Sequence, residues 1–182
     1  MDSQVSDIQA IEQVVRRWGL YRDTRQWEGL RSCYAPNATV KTTWLVGSAE
    51  EFIAASMKAS ENPNAATSLH SIGASSIEVL GDKALAETRM VLMLRAPLDG
   101  VEVDITAWGR FVDFFVRHHG RWCIQQRHPI HEKDRMDPVD PAAVIKLDTA
   151  RLASLPTAYR HITYMQSLDR KSTRLNSSHE IP

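Results

Sequence analysis

The chain has 182 residues, 43% of them apolar, which fits one soluble domain with a single core. Its 22 basic and 22 acidic residues cancel, so no net field favours binding to nucleic acid or to an anionic membrane. The first residues lack a signal-peptide pattern, and no stretch reaches the roughly 18 apolar residues that a membrane span requires. We therefore expect a cytoplasmic protein.

Three helices and a short strand are predicted in the first third of the chain. The first helix begins at Ser6, which opens a capping-box pattern, and carries apolar residues at helical spacing. A short helix at 27–33 and a strand at 39–46 follow. The third helix begins at Ser48 with a second capping-box pattern and ends at the sequence NPN, residues 62–64.

The apolar period then changes from helical spacing to two. Turn residues separate four alternating runs, which cover residues 68–80, 84–95, 101–117 and 121–131. Short connections of this kind join antiparallel neighbours. The sequence therefore predicts an α+β fold in which a curved antiparallel sheet wraps around the N-terminal helices and forms a cone-shaped barrel with one open end.

The end of the chain has a different composition. A Pro-rich loop is predicted at 134–144 and is followed by two short closing helices, which complete a single domain over residues 1–168. Residues 169–182 are polar and have no apolar period. We interpret them as a non-native or disordered tail.

Two residues could carry acid–base chemistry. Asp23 lies near the end of the first predicted helix, where a carboxylate faces the negative end of the helix dipole. It is either an exposed acid paired with Arg22 or Arg25, or an acid with a specific task. His70 shares a strand face with Ile72, and is either a core histidine or a general base beside a carboxylate.

A resemblance brings these two residues together. The sequence YRDTRQWEGLRSCYAP from Tyr21, with SAEEF at 48–52 and LHSIG at 69–73, resembles scytalone dehydratase and other SnoaL-like members of the nuclear transport factor 2-like superfamily. The resemblance covers residues 8–133 and implies the cone fold. It also implies that Asp23 and His70 are catalytic, and that the protein forms a homodimer or homo-oligomer.

The chain departs from the dehydratase pattern at two points. Arg22 stands where the pattern has a tyrosine directly before the Asp, and Tyr21 is displaced by one position. A second histidine of the pattern, on a middle strand, has no clear counterpart, and Thr106 or Trp108 lies nearest. We therefore do not expect scytalone itself as the substrate.

Substrate-binding residues are predicted from strand faces. One face of the strand at 101–117 carries Trp108 and Arg110, which we assign to the cavity wall, while the smaller apolar set on the other face suits packing under helices. Arg110 could equally lie on a solvated outer face or at a subunit interface. Tyr21, Arg110 and Arg127 are candidate donors to a developing enolate, and Trp44 is a further candidate contact.

Other chemistry is less well supported by the sequence. Cys33 and Cys123 form neither a disulfide framework nor a thiolate metal site. His128 and His131 lie in RHPIHEKD, a sequence that invites a metal assignment, but they fall on opposite faces of a strand. The sequence predicts no metal site and no cofactor.

These observations favour a cofactor-independent lyase or isomerase, similar to a dehydratase, that acts on a small apolar carbonyl compound. In this hypothesis His70 removes a proton next to the carbonyl and Asp23 orients the imidazole. An epoxide hydrolase or a polyketide-type cyclase would use the same pair. A different class of function is a non-catalytic assembly module that resembles the small subunit of ring-hydroxylating dioxygenases.

Overall fold

The computed structural model describes residues 2–177, with side chains over residues 4–168. The helices are α1 (Asp2–Asp23), α2 (Trp27–Ser32), α3 (Ala49–Ser60), α4 (Thr149–Ala153) and α5 (Arg160–Ser177), with a 3₁₀ turn at Thr157–Tyr159. The strands are β1 (Tyr34–Lys41), β2 (Val46–Ser48), β3 (Thr67–Leu80), β4 (Lys83–Leu98), β5 (Val101–His118) and β6 (Arg121–Pro138).

All six strands form one sheet in the order β2-β1-β6-β5-β4-β3. Neighbouring strands are antiparallel except β1 and β6, which are parallel. The sheet is curved and unclosed, and the N-terminal helices lie against it, which confirms the predicted α+β class. Among the described residues, no helix is both long enough and apolar enough to cross a membrane.

Several element boundaries differ from the sequence prediction. α1 begins at Asp2 rather than Ser6, and β6 continues to Pro138, through the first part of the predicted loop. β1 begins five residues earlier than predicted. An irregularity in its pairing with β6 takes up Pro36 and Asn37, whose φ of 58° is left-handed. The predicted tail at 169–182 has side chains outside the described residues, although the backbone of α5 continues to Ser177.

The concave face of the sheet carries the core. On β5 this face consists of the odd-numbered residues, such as Ala107 and Phe111, which are almost fully buried. α1 packs its apolar stripe of Ile11, Val15 and Trp18 into the same core. The α3 capping box at Ser48 and Glu51 forms as predicted.

A glycine allows α1 to approach β3 closely. A Cβ atom on Gly19 would lie 3.1 Å from Ile72 and 3.6 Å from the Cβ of His70. With a larger residue at this position, the Ile72 side chain would have to shift by a few tenths of an ångström. The close approach brings the end of α1 within side-chain reach of His70.

A β-bulge in β6 changes which residues face the core. His131 pairs with Gly109 and Lys133 pairs with Trp108, so Glu132 is the additional residue. Gly109 is required here because a Cβ would lie 2.1 Å from the Ile130 carbonyl oxygen. As a result, His131 before the bulge and Asp134 after it both face inward, although regular alternation would place them on opposite faces.

A fully buried ion pair joins β5 to β6. Arg127 donates from Nε to Asp113 Oδ1 at 2.7 Å and from Nη2 to Oδ2 at 2.6 Å, and both side chains are 0% exposed. The guanidinium carbon lies 4.2 Å from the Trp18 ring centroid and 4.0 Å from that of Phe111. Although burial opposes the charge, Asp113 raises the pKa of Arg127, so the pair is ionic.

The two cysteines are free thiols buried in the fold. Burial raises the pKa of Cys33 to about 11, so this thiol stays protonated near neutral pH. Cys33 therefore has no thiolate character with which to act as a nucleophile.

We predict that replacing Asp113 by Ala lowers the free energy of unfolding by about 3–5 kcal/mol, because it leaves the buried Arg127 charge without its partner. Asp104→Ala is the matched control, since Asp104 also accepts two hydrogen bonds from an arginine, Arg95, across neighbouring strands, but is exposed. Urea denaturation measures both variants. Equal losses in the two would contradict the assigned role of the buried pair.

Candidate functional site

A cavity of about 120 Å³ lies between the concave face of the sheet, the end of α1, α3 and α5. Ten of its eighteen lining residues are apolar or aromatic and eight are polar or charged, a mixture that small-molecule sites use to bind and orient a ligand. The lining residues are Trp18, Arg22, Val40, Thr42, Thr43, Trp44, Phe52, Ser68, His70, Met90, Leu92, Leu94, Phe111, Arg127, Pro129, His131, Ile162 and Gln166.

The structure brings Asp23 and His70 into contact beside this cavity. Asp23 Oδ1 lies 2.7 Å from His70 Nδ1, and Asp23 Oδ2 accepts from the backbone N–H of His70 at 2.6 Å. The Ser68 hydroxyl also donates to Oδ1, at 3.3 Å. The side chains are 10% exposed for His70 and 15% for Asp23. The pair is therefore well shielded from solvent but has access to the cavity.

This contact determines the tautomer of neutral His70. An ionised carboxylate only accepts hydrogen bonds, so Nδ1 carries the proton and donates it to Asp23. Nε2 is then the nitrogen with a free lone pair. The ring is held at a centroid distance of 5.3 Å from Trp18, edge to face, and 6.3 Å from Phe111. The arrangement is that of a base oriented by an acid.

Arg127 is a donor on the cavity wall. Its Nε and Nη2 are used by Asp113, but its Nη1 is buried and has no hydrogen-bond partner among the described residues. A buried donor without a partner carries the full cost of lost hydration.

His131 was missed by the sequence analysis as a cavity residue. Its Nδ1 is buried and unpartnered among the described residues, and its ring centroid is 6.2 Å from that of Tyr159. Burial lowers the pKa of His131, and the proximity of His70 lowers it further, while Asp134 raises it. The imidazole is therefore neutral near pH 7. The only sequence signal for its position was that His131 and Arg127 are four residues apart on one strand, a spacing that places side chains on the same face.

The C-terminal helix α5 covers part of the cavity. Asp134 accepts from the first backbone N–H groups of the helix, those of His161 at 2.8 Å and Ile162 at 3.0 Å, and lies 2.8 Å from His161 Nδ1. Gln166, one turn further on, accepts from the Thr43 hydroxyl at 3.0 Å. Ile162 and Gln166 are thus held against the opening.

Trp44 and Arg127 lie on the cavity wall, but three other predicted contacts do not. Trp108 and Arg110 lie on the outer face of β5, which corrects the assignment of that face to the cavity. Arg110 pairs there with Glu87 and Glu132, and Lys133 lies 5.0 Å from the Trp108 ring centroid. The Tyr21 ring packs against Gly29 of α2 instead of the cavity, and a Cβ atom on Gly29 would lie 2.9 Å from it.

The reason for the error is that small size was taken as a sign of packing under helices. Ala107 and Gly109 do face inward, but the cavity lies on this same inner side of the sheet. Gly109 is small because the bulge in β6 leaves no room for a Cβ atom. The outer face carries a shallow depression of about 300 Å³ near Trp108 and Glu132.

The homodimer implied by resemblance stays a prediction.

We predict that His131 makes the stability of the protein depend on pH. Because its folded-state pKa is below the unfolded value of 6.5, protonation is easier in the unfolded chain, and stability is lost as the pH falls below about 6.5. His131→Asn should lose less stability between pH 8 and pH 5 than the wild type does, as measured by urea denaturation. His119→Asn is the control, because His119 is an exposed turn residue with a φ of 48°, which Asn tolerates. A decline in H131N that equals the wild-type decline would contradict the prediction.

Comparison with curated proteins identifies relatives of similar sequence. A PEP2-like protein from Fusarium vanettenii is 34% identical over 86% of this chain and 67% of its own length. Pea pathogenicity protein 2 from the same organism is 32% identical over 91% of this chain and 71% of its own length.

Solved structures share the fold at much lower identity. A protein assigned as a scytalone dehydratase from Novosphingobium aromaticivorans has a TM-score of 0.63 at 13% identity, and the match covers 80% of this chain and 99% of that one. A type 2 hexachlorocyclohexane dehydrochlorinase has a TM-score of 0.61 at 12% identity, over 80% and 97% of the two chains. The SnoaL-like domain model matches residues 3–128. Since this match covers most of the sequence, the chain belongs to the SnoaL-like domain family.

Proposed function

We propose that the protein is a cofactor-independent lyase or isomerase that acts on a small carbonyl compound within the cavity. The observation that carries the proposal is the 2.7 Å contact between Asp23 and His70, two residues 47 positions apart, next to the cavity. An oriented imidazole is a suitable general base near neutral pH. The membership in the SnoaL-like family is consistent with this activity, although the fold serves several functions.

The first step is removal of a proton from the carbon next to the carbonyl. His70 Nε2 accepts the proton, and the electron pair of the C–H bond moves to form an enolate. The imidazolium that results is stabilised by the Asp23 carboxylate, which stays ionised. Arg127 Nη1 is the donor available to the enolate oxygen, since Asp113 uses the other side of the guanidinium.

The second step depends on the substrate. With a hydroxyl group on the β-carbon, the enolate expels it, and the proton on His70 leaves with it as water. With a β,γ double bond instead of a leaving group, proton removal gives a dienolate, His70 returns the proton to the γ-carbon, and the product is the conjugated isomer. In both cases protons and charge balance without a cofactor.

We expect His70→Ala to lower the rate of proton abstraction by at least about a hundredfold, because a positioned general base contributes about 10² to 10⁴ to a rate. Exchange of the α-protons of a panel of small ketones in D₂O, followed by NMR, measures this step without requiring the natural substrate. His128→Ala is the control, since His128 is not among the residues that line the cavity. A fall of less than tenfold in H70A, or an equal fall in H128A, would refute the base assignment.

For Asp23→Asn we expect a similar fall in the exchange rate with little change in the binding of the ketone. The amide can no longer stabilise an imidazolium, but the walls of the cavity are unchanged. Isothermal titration with the best ketone of the panel reports binding separately. Weak binding together with a normal exchange rate would contradict the orienting role of Asp23.

A further inference from the structure

Arg22 is a cation on the cavity wall that the mechanism does not use. It lies in the last turn of α1, directly before Asp23, and its side chain is partly buried. Its guanidinium carbon is 5.9 Å from the ring centroids of Trp27 and Phe52, and Phe52 also lines the cavity. The aromatic rings therefore shield the charge from water on this side.

Within the part of the chain whose side chains are described, residues 4–168, Arg22 makes no ion pair and no hydrogen bond. Its neighbour Asp23 attracts it electrostatically but makes its hydrogen bonds with Ser68 and His70. Burial lowers the pKa of Arg22, while the charge of Asp23 acts in the opposite direction. A partly buried guanidinium normally has a carboxylate beside it.

The charge of the cavity wall is one-sided. The lining residues include two guanidinium groups, those of Arg22 and Arg127, and no Asp or Glu. Asp113 pairs with Arg127 outside the cavity lining. Arg22, by contrast, feels the charge of Asp23 but forms no salt bridge with any described side chain. A cation in the last turn of a helix is favoured by the helix dipole, which would explain why position 22 is basic. It would not explain why the Arg22 side chain lies on the cavity wall.

We propose that Arg22 forms an anion subsite and that the substrate is a carbonyl compound that also carries a carboxylate group. The inference rests on the proposed function for the identity of the reacting carbonyl, but the subsite itself depends only on the cavity. The carboxylate pairs with Arg22 near the end of α1, and this fixes the ligand so that its carbonyl oxygen reaches Arg127 Nη1. Because Asp113 already pairs with Arg127, one guanidinium is left for an anion, and this suits a singly charged carboxylate better than a phosphate, which has more oxygens to satisfy.

The test compares matched ligands that differ only in charge. Binding of benzoate, phenylacetate and 3-phenylpropanoate is measured by isothermal titration against the corresponding amides. We expect at least one carboxylate to bind wild-type protein about tenfold or more tightly than its amide. Arg22→Gln should abolish this preference, and Arg22→Lys should retain part of it. Arg17→Gln, which removes an exposed charge from the same helix, should leave the preference unchanged.

The opposite results overturn the proposal. These are the absence of any preference for carboxylates in the wild type, or an R22Q variant that retains the preference. Thermal unfolding of R22Q checks that the variant is folded. If it is not, the carboxylate preference of R22K is compared with that of the wild type, and an undiminished preference in R22K overturns the proposal.

The experiment separates the subsite from the proposed activity. Asp23→Asn should keep the carboxylate preference even though proton exchange is lost. A carboxylate preference without any proton exchange in the wild type would refute the activity and leave the subsite. Proton exchange on neutral ketones without a carboxylate preference would refute the subsite and leave the activity.

Discussion

The attachment of α1 to β3 through Asp23 is the interaction on which the site depends. A carboxylate at the end of a helix is typically unfavourable by a few tenths of a kcal/mol. Here it accepts hydrogen bonds from Ser68, from the backbone of His70 and from the His70 ring, and bonds of this charge-assisted kind more than offset that cost. The same contacts fix the distance between helix and sheet and the orientation of the imidazole. The position of the His70 ring is therefore a consequence of how the first helix packs.

Arg127 has a comparable double role at the other side of the cavity. Its guanidinium lies between Trp18 of α1 and Phe111 of β5, while Asp113 holds one edge. Burial of this ion pair gives little net stability compared with an apolar packing of the same volume. What it provides is a rigid donor, Nη1, that is already stripped of water. Such a preorganised donor needs no rearrangement when negative charge develops on a bound oxygen.

Much of the fold follows from local patterns in the sequence, while the site follows only in part. The capping box at Ser48 and the alternation of β3 are local, and they predicted the start of α3 and the inward direction of His70. The bulge at Glu132 is not local, because it depends on the approach of Gly109 to the Ile130 carbonyl. It moved Asp134 to the inner face of β6, where regular alternation does not place it.

Side-chain size was a poor guide to which face of β5 is inside. Trp108 and Arg110 are large and were assigned to the cavity, but their partners Lys133, Glu87 and Glu132 are charged residues of neighbouring strands on the outer face. The sequence did mark Arg22 as a departure from the dehydratase pattern. Its significance required the structure, since only the geometry shows that Asp23 makes its hydrogen bonds with Ser68 and His70 and that Arg22 lies on the cavity wall.

The chain contains a second Asp–His pair, and the comparison shows what makes the first one a candidate for chemistry. In both pairs one carboxylate contacts the ring Nδ1 and accepts from the backbone N–H of the same histidine. His161 lies in the first turn of α5, and Asp134, on β6, also accepts from the backbone N–H of Ile162 and so caps the helix. Neither residue of this pair lines the cavity, whereas His70 does. The same local geometry thus anchors a helix in one place and orients an imidazole on the cavity wall in the other.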